Sequence, residues 1–489
     1  MNVNIKKISL ATAIAATLSA CAVGPDYKRP PVETPDHFKE GVEWQRAEPK
    51  TDMALQDDWW REYQDDVLNG LVDQALKANQ SIAEAEAAYR VAEAAVRSNT
   101  SAYFPTVSAS FSGARTGTGA AVPLQAGGST TGTKTIRNSV SLGATASWEP
   151  DLWGSVRRSV EAARANAQAT DAQLAGVRLS ITSNLVIYYF ALRQADADIA
   201  SLQGQRDIYA SILKMTEAGL REGAASNDDL LAAHDALDSA EAVLRAMQTV
   251  REQDEHAIAV LIGKPPTAFS LEPKPDYTFA VPTIPSTLPS QLLLRRYDIV
   301  SAERTAASAN ARIGVAKSAY FPDLSLSASD GFAGSSMANL LTLPHRIWSV
   351  GPALAETLFD GGARSASVDS ARANYDAEVA AYRNTVLSAF QSVEDSLSSM
   401  HHLGEQSAAQ TRILRRSEQL YASSNAQWEA GAASQQDLLS AKLNLLQAQQ
   451  QYMDVQAALS QSSVTLIKNL GGGAQWSQEG APVAAADAK

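Results

Sequence analysis

The chain is written twice, and that constrains its fold more than any other feature. Ser101-Ala102-Tyr103-Phe104-Pro105 recurs letter for letter as Ser318-Ala319-Tyr320-Phe321-Pro322. Farther on, Gly223-Ala224-Ala225-Ser226 recurs as Gly431-Ala432-Ala433-Ser434. In each copy an Asp stands six residues after that Gly (Asp229, Asp437) and leads into a Leu pair, Leu230-Leu231 or Leu438-Leu439. Two identities in the same order make the chain an internal duplication, so the fold must be assembled from two similar units.

Each copy reads helix, strand, strand, helix, helix. Leu438, Ala441, Leu445, Ala448, Tyr452, Val455 and Leu459 fall alternately three and four apart, and Leu230, Ala233, Leu237, Ala240, Leu244 and Met247 match them. That is the seam of a coiled coil, although ordinary antiparallel packing in a soluble bundle would use it too. No proline occurs from Gly154 to Glu222 or from Gly361 to Leu470. An unbroken helix of about 65 residues would span roughly 100 Å, whereas helices in compact domains average about 11–12 residues. A long tube or stalk accounts for such helices better than a globule does.

The strands carry a different period. Val140, Leu142, Ala144, Ala146 and Trp148 alternate with Ser139, Ser141, Gly143, Thr145 and Ser147. Val107, Ala109 and Phe111 alternate with Thr106, Ser108, Ser110 and Ser112, and Leu324, Leu326 and Ala328 repeat the pattern. Val350, Leu354 and Leu358 follow it less cleanly. Segments of about ten residues with one apolar and one polar face suit a membrane β-barrel; the alternative is a pair of amphipathic hairpins on a soluble core. Tyr103, Phe104, Trp148, Trp153, Tyr320, Phe321 and Phe359 stand near the strand ends, where membrane-interface aromatics belong. Residues 113–137 and 330–346 read as the hairpin connections. Four strands cannot close around a lumen, since eight make about the smallest barrel. Open edges are not tolerated in lipid, so the chain must share its barrel with copies of itself. Two chains would supply eight strands and three would supply twelve.

The N-terminus points to export. Lys6-Lys7 precede the apolar run Ile8 to Leu18, which ends in Leu18-Ser19-Ala20-Cys21, and Cys21 is the only cysteine in the chain. Residues 1–20 read as a lipoprotein signal peptide, with Cys21 as the acylation site carrying S-diacylglycerol and an N-acyl chain. A net charge of −12 disfavours a nucleic-acid partner, and no segment after the signal has eighteen uninterrupted apolar residues. No nucleophile–base pair or metal-ligand cluster stands out, so an enzyme is not expected, nor any cofactor besides the lipid. His401-His402 point about 100° apart on a helix and make a poor metal site. Arg412, Arg415 and Arg416 read as a solvated helix face.

The stretch Cys21 to Pro30 (CAVGPDYKRP) resembles the opening of the outer membrane factor family, the TolC-like channels, in the OprM/NodT lipoprotein branch. Trp59-Trp60 with Tyr63-Gln64-Asp65, the junctions Trp148 to Gly154 and Leu358 to Gly362, and Leu288 to Ile299 resemble the same branch, with Tyr297 where the family usually has Pro. The resemblance implies a mixed α and β membrane protein with an internal two-fold repeat. Four strands per chain would enter a shared trimeric barrel of twelve, and long coiled-coil-like helices would form a periplasmic α-barrel. It implies a homotrimer in the bacterial outer membrane, lipid-anchored with a long periplasmic extension. The trimer would be the exit duct of a tripartite pump, docked to a periplasmic adaptor and an inner-membrane RND-type transporter. A self-contained porin or a scaffold lipoprotein are the other readings. The expected layout is an extended anchored segment 21–60, a first repeat 61–270, a linker 271–288, a second repeat 289–470 and a loose tail 471–489. The resemblance places the repeat turns at Gly223 and Gly431 at a closed periplasmic tip. There Asp437, with Asp229 as its counterpart, would ring the pore, a constriction that favours cations. Ser226 and Ser434 stand three residues before these Asp, so helix N-capping is the alternative role. Trp428, Ala433 and Ser440 replace the Tyr, Arg and second Asp of some members, so the hydrogen bonds that lock this gate differ from theirs.

Overall fold

The computed structural model describes residues 22–32, 39, 58–118, 135–282 and 296–472. Cys21, the signal peptide, residues 288–295 of the second-repeat motif and the tail beyond residue 472 lie outside the described residues. A single 3-10 turn, Trp59–Tyr63, leads into α1 (Asp66–Ala78) and α2 (Gln80–Ser101). Then come β1 (Thr106–Thr118), β2 (Thr135–Trp148), α3 (Ser155–Arg221) and α4 (Asn227–Leu261). The second copy supplies α5 (Tyr297–Ser318), β3 (Asp323–Gly334), β4 (Arg346–Ala355), α6 (Ala363–Glu429) and α7 (Gln435–Asn469). The duplication shows in the lengths: α3 and α6 have 67 residues each, α4 and α7 have 35 each. Sequences rich in Ala, Leu, Gln and Glu and free of proline sustain helices of that length.

The first copy departs from the expected single leading helix. Asn79 is extended, with ψ 129°, and divides α1 from α2. Its Oδ1 accepts from Ser81 N at 2.9 Å and Ile82 N at 3.2 Å, and its Nδ2 donates to Leu261 O at 2.8 Å. An Asn can cap the second helix, so the break lies where its side chain substitutes for backbone bonds.

Two compact units emerge, and each draws on both repeats. One comprises residues 1–30, 90–168 and 303–380, the other 31–89, 169–302 and 381–489. The first holds a single antiparallel sheet in the order β1-β2-β3-β4. The hairpins run farther than the alternation predicts: pairing continues from Gly113↔Val140 to Thr118↔Thr135, and β3 reaches Gly334. Residues 113–118, 135–137 and 330–334 are therefore strand, not connection. Apart from Ile136 and Phe332, polar and small residues occupy both faces there, which erases the period of two while leaving backbone pairing intact. β4 ends at Ala355, so Leu358 lies beyond it.

The second unit carries the aromatic core. Trp59, Tyr63, Leu68, Val72, Leu185, Tyr189, Phe190, Ile258 and Ile467 are buried together. The Phe190 ring lies 5.0 Å from Tyr63 and 6.0 Å from Phe279, centroid to centroid. α3 is long and apolar enough by composition to cross a membrane, but its Leu185, Val186, Phe190 and Leu192 belong to this core. Residues 271–282 are no passive linker. Tyr277 enters the core, Arg193 Nη1 and Arg251 Nη2 donate to the Glu272 and Leu271 carbonyls, and Lys274 N donates to Asp196 Oδ2 at 2.9 Å. Buried Asp196 meets Arg193 at 3.0 Å and Arg251 at 2.8 Å. A buried carboxylate needs such partners, and no local sequence pattern announced them.

Candidate functional site

The sheet has two chemically distinct faces. On one, Ser108 pairs with Thr145 at 2.7 Å, Ser112 with Ser141 at 2.8 Å and Ser329 with Ser349 at 2.9 Å, oxygen to oxygen. On the other, Val107, Phe111, Trp348, Val350 and Leu354 are exposed, with 72% of Val107 and 69% of Trp348 accessible. Hydroxyl ladders on one side and bare apolar groups on the other invert the usual rule for a sheet packed on a soluble core. Asp330 and Arg346 interrupt the apolar face as a pair, Arg346 Nε meeting Asp330 Oδ1 at 2.9 Å, and Arg115 and Asn138 stand opposite each other on it toward the hairpin end. Among the described residues neither β1 nor β4 has a partner on its outer edge.

The aromatics at the strand ends divide into two groups. Phe104, Trp148, Tyr320 and Phe359 are exposed, as interfacial side chains must be. Tyr103 is half-buried and its carbonyl accepts from Trp148 Nε1 at 3.0 Å. Trp153 and Phe321 instead stack on each other at 4.8 Å, and Trp153 Nε1 donates to Pro322 O at 2.8 Å. They tie the β2-to-α3 junction to the α5-to-β3 junction. Both strand-to-helix junctions turn on an Asp: Asp151 accepts from Val156 N and Arg157 N, and Asp360 accepts from Gly362 N and Arg364 N.

The segment after Cys21 is laid against this unit. Val23 N donates to Trp153 O at 3.0 Å, Asn310 Nδ2 to Pro25 O at 3.0 Å and Tyr27 Oη to Glu303 Oε1 at 2.7 Å. Buried Arg158 bonds Asp26 and Glu161, each at 2.8 Å. Gly24 and Gly314 allow the approach: a Cβ on Gly24 would lie 2.5 Å from Gly314 Cα, closer than real Cβ atoms come. Cys21 thus immediately precedes a docked segment.

The repeated turns are built alike in the second unit. α3 and α6 end on Gly223 and Gly431, at φ +76° and +71°, conformations that favour glycine. Ala224 N donates to Gly219 O at 2.7 Å and Ala432 N to Gln427 O at 2.8 Å. Ser226 Oγ then accepts from Asp229 N at 3.1 Å, while Asp229 Oδ2 accepts from Ser226 N at 2.8 Å. Ser434 and Asp437 repeat the box, at 3.1 Å in both directions. So both Asp do cap their helices, with carboxylates exposed to solvent. The Ser226 backbone N–H and then its hydroxyl hold the Asp229 carboxyl below the usual range, and the Ser434 hydroxyl and then its N–H do so for Asp437. Both are anionic at neutral pH. Trp428, 42% exposed, accepts from Gly431 N through its carbonyl at 2.9 Å, and Ser440 is exposed one turn into α7. His401 and His402 both reach Glu405, at 3.8 and 3.5 Å. All three are exposed, and pairs of that kind are worth little.

The family model described as outer membrane efflux protein matches residues 71–264 and 288–472. The probable efflux pump outer membrane protein TtgC of Pseudomonas putida is 28% identical over 471 residues, covering 96% of each chain. The solved structure of the outer-membrane channel OprN is 28% identical with a TM-score of 0.79, covering 92% of this chain and 99% of its own. The Campylobacter jejuni CmeC outer membrane channel is 25% identical with a TM-score of 0.81, covering 94% and 96%.

Proposed function

Since the chain belongs to the outer membrane efflux protein family, a family of ducts and not of enzymes, we propose that it works as the gated homotrimeric exit channel of an RND-type tripartite pump. One observation carries the reading: a four-stranded sheet whose two edges are unpaired among the described residues and which bares an apolar face. Lipid accepts such a sheet only when its edges are closed, and three copies would close it with twelve strands. The polar ladders would then line the lumen. Compounds would pass through passively, delivered by an inner-membrane transporter through a periplasmic adaptor.

The gate belongs to the same proposal. Asp437 and Asp229 each commit one oxygen to the capping box, which leaves charge available to a ring of symmetry copies. Three Asp437 carboxylates about an axis would attract cations and repel anions. Cys21, acylated, would add a lipid anchor beside the barrel. Purified protein in planar bilayers is expected to show little spontaneous conductance, and Asp437→Ala to raise it or change its cation selectivity. A large open conductance in the unaltered protein would favour a self-contained porin, and an unchanged mutant would remove Asp437 from the gate. Deleting the gene should sensitise the bacterium to exported toxic compounds; an unaltered susceptibility panel counts against efflux.

A further inference from the structure

The seam between α3 and α7 contains a polar stripe that the capping boxes and the coiled-coil pattern do not explain. Gln194, Asp198, Ser201 and Gln205 lie four, three and four residues apart, one face of α3. Gln194 Nε2 donates to Asp454 Oδ1 at 2.8 Å, Ser201 Oγ to Leu446 O at 3.1 Å and Gln205 Nε2 to Gln450 Oε1 at 3.3 Å. Asp198 stands in the middle of this stripe. It is 2% exposed, and its Oδ1 has no hydrogen-bond partner.

Among the described residues, Asp198 and Asp454 face each other without a counter-ion. The charge that acts on Asp198 is that of Asp454, and hydrogen bonds with Asp454 and Gln450 surround it. Asp454 in turn has Gln194 and Asp198. Arg193 on α3 and Arg251 on α4 are committed elsewhere: Arg193 to Asp196 and the Glu272 carbonyl, Arg251 to Asp196 and Glu255. α6 meets α7 through neutral groups, Gln410 with Gln451 and Ser407 with Gln456. Asp198 is buried and Asp454 half-buried, so a second negative charge beside the first is strongly disfavoured without a cation between them. One proton satisfies the arrangement, as an O–H of Asp198 donating to the Asp454 carboxylate.

We propose that Asp198 and Asp454 form a proton-binding site that fastens α7 to α3, so that alkaline conditions loosen the helix which begins at the Asp437 turn. The inference rests on the reading of that turn as the gate of an efflux duct. Burial first, and the charge of Asp454 second, push Asp198 up to about 7. A carboxyl with a raised folded-state value contributes its stability in full below the unfolded value of about 3.9. It loses that contribution as pH rises through the folded value. The latch is therefore closed at pH 6 and open at pH 8. The protonated fraction falls from about nine-tenths to about one-tenth over that interval.

Infrared difference spectra of the purified protein between pH 5 and 9 read the proton directly, whether or not the protein conducts. The unaltered chain should show a protonated-carboxyl band that titrates near 7 and is missing from Asp198→Asn. Asp254→Asn is the control, because Asp254 on α4 is a half-buried carboxyl with one buried, unpartnered oxygen, pushed up to about 6 by desolvation. Absence of the band, or its full survival in Asp198→Asn, overturns the site. A midpoint that moves with calcium chloride at constant ionic strength puts a metal cation there and overturns the proton. In bilayers, conductance should rise as pH passes 7 in the unaltered chain and stay at its acid level in Asp198→Asn, whose amide donates to Asp454 at every pH. A band that titrates as expected with conductance indifferent to pH overturns the latch.

Discussion

Gly314→Ala sets two effects of known size against each other. In a helix Ala is favoured over Gly by about 0.8–1.0 kcal/mol, and Gly314 lies inside α5. Yet the added methyl would come to rest 2.8 Å from Val23 O and 2.7 Å from Arg158 Cγ. Neither neighbour yields easily. Arg158 is buried and held by Asp26 and Glu161, and Val23 is fixed by its N–H bond to Trp153 O at 3.0 Å. Overpacking of this kind costs about 1–3 kcal/mol. The balance is a net loss of up to about 2 kcal/mol, falling on the docking of residues 22–27, and 1–2 kcal/mol shifts such an equilibrium by a factor of roughly 5–30. Lys28 and Arg29 are exposed, and Pro30 follows Arg29, so trypsin should report at Lys28. Cleavage there in the detergent-solubilised variant should be several-fold to about thirtyfold faster than in the parent. Gly24→Ala should act alike, since its φ is +113° and its Cβ would strike Gly314. Parental cleavage rates together with a more stable protein would show that helix propensity wins and that the segment is not docked as described.

Phe190→Ala should lower thermal stability sharply, because Phe190 is wholly buried among Tyr63, Tyr277 and Phe279. Truncations of that kind cost about 3–5 kcal/mol, and an unchanged melting profile would place the core elsewhere. Cys21→Ser, supplied with a cleavable signal, should still yield trimers that are partly mislocalised, since the barrel itself holds lipid. An unacylated protein found simply soluble after fractionation would refute the barrel.

The elements were legible because each has a period. Repeated words announced the duplication, proline-free tracts announced α3 and α6, and alternation announced the middle of every strand. The strand ends at 113–118 and 135–137 were not, because a rim that is mostly polar or small on both faces has no alternation to read. The repeated turns were legible as capping boxes from Ser and Asp three apart, and the structure builds both boxes. Trp153 and Phe321 illustrate the opposite case: position near a strand end suggests an interfacial pair, while their actual partner is each other. Tyr277 and Asp196 could not be found at all, since a residue's burial depends on what returns to cover it from far along the chain.

By itself, then, the sequence determined the local order: two repeats, helices too long for a globule, strands with one apolar and one polar face, and a lone cysteine directly after an apolar run. Those properties follow from spacing and from what each side chain permits of its own backbone. Only the tertiary structure decided which distant groups meet. It laid the segment after Cys21 against Gly314, turned residues 271–282 into part of a core and brought Asp198 opposite Asp454. Solvation and pairing of buried groups are properties of neighbours, and neighbours separated by hundreds of residues leave no mark in a local pattern.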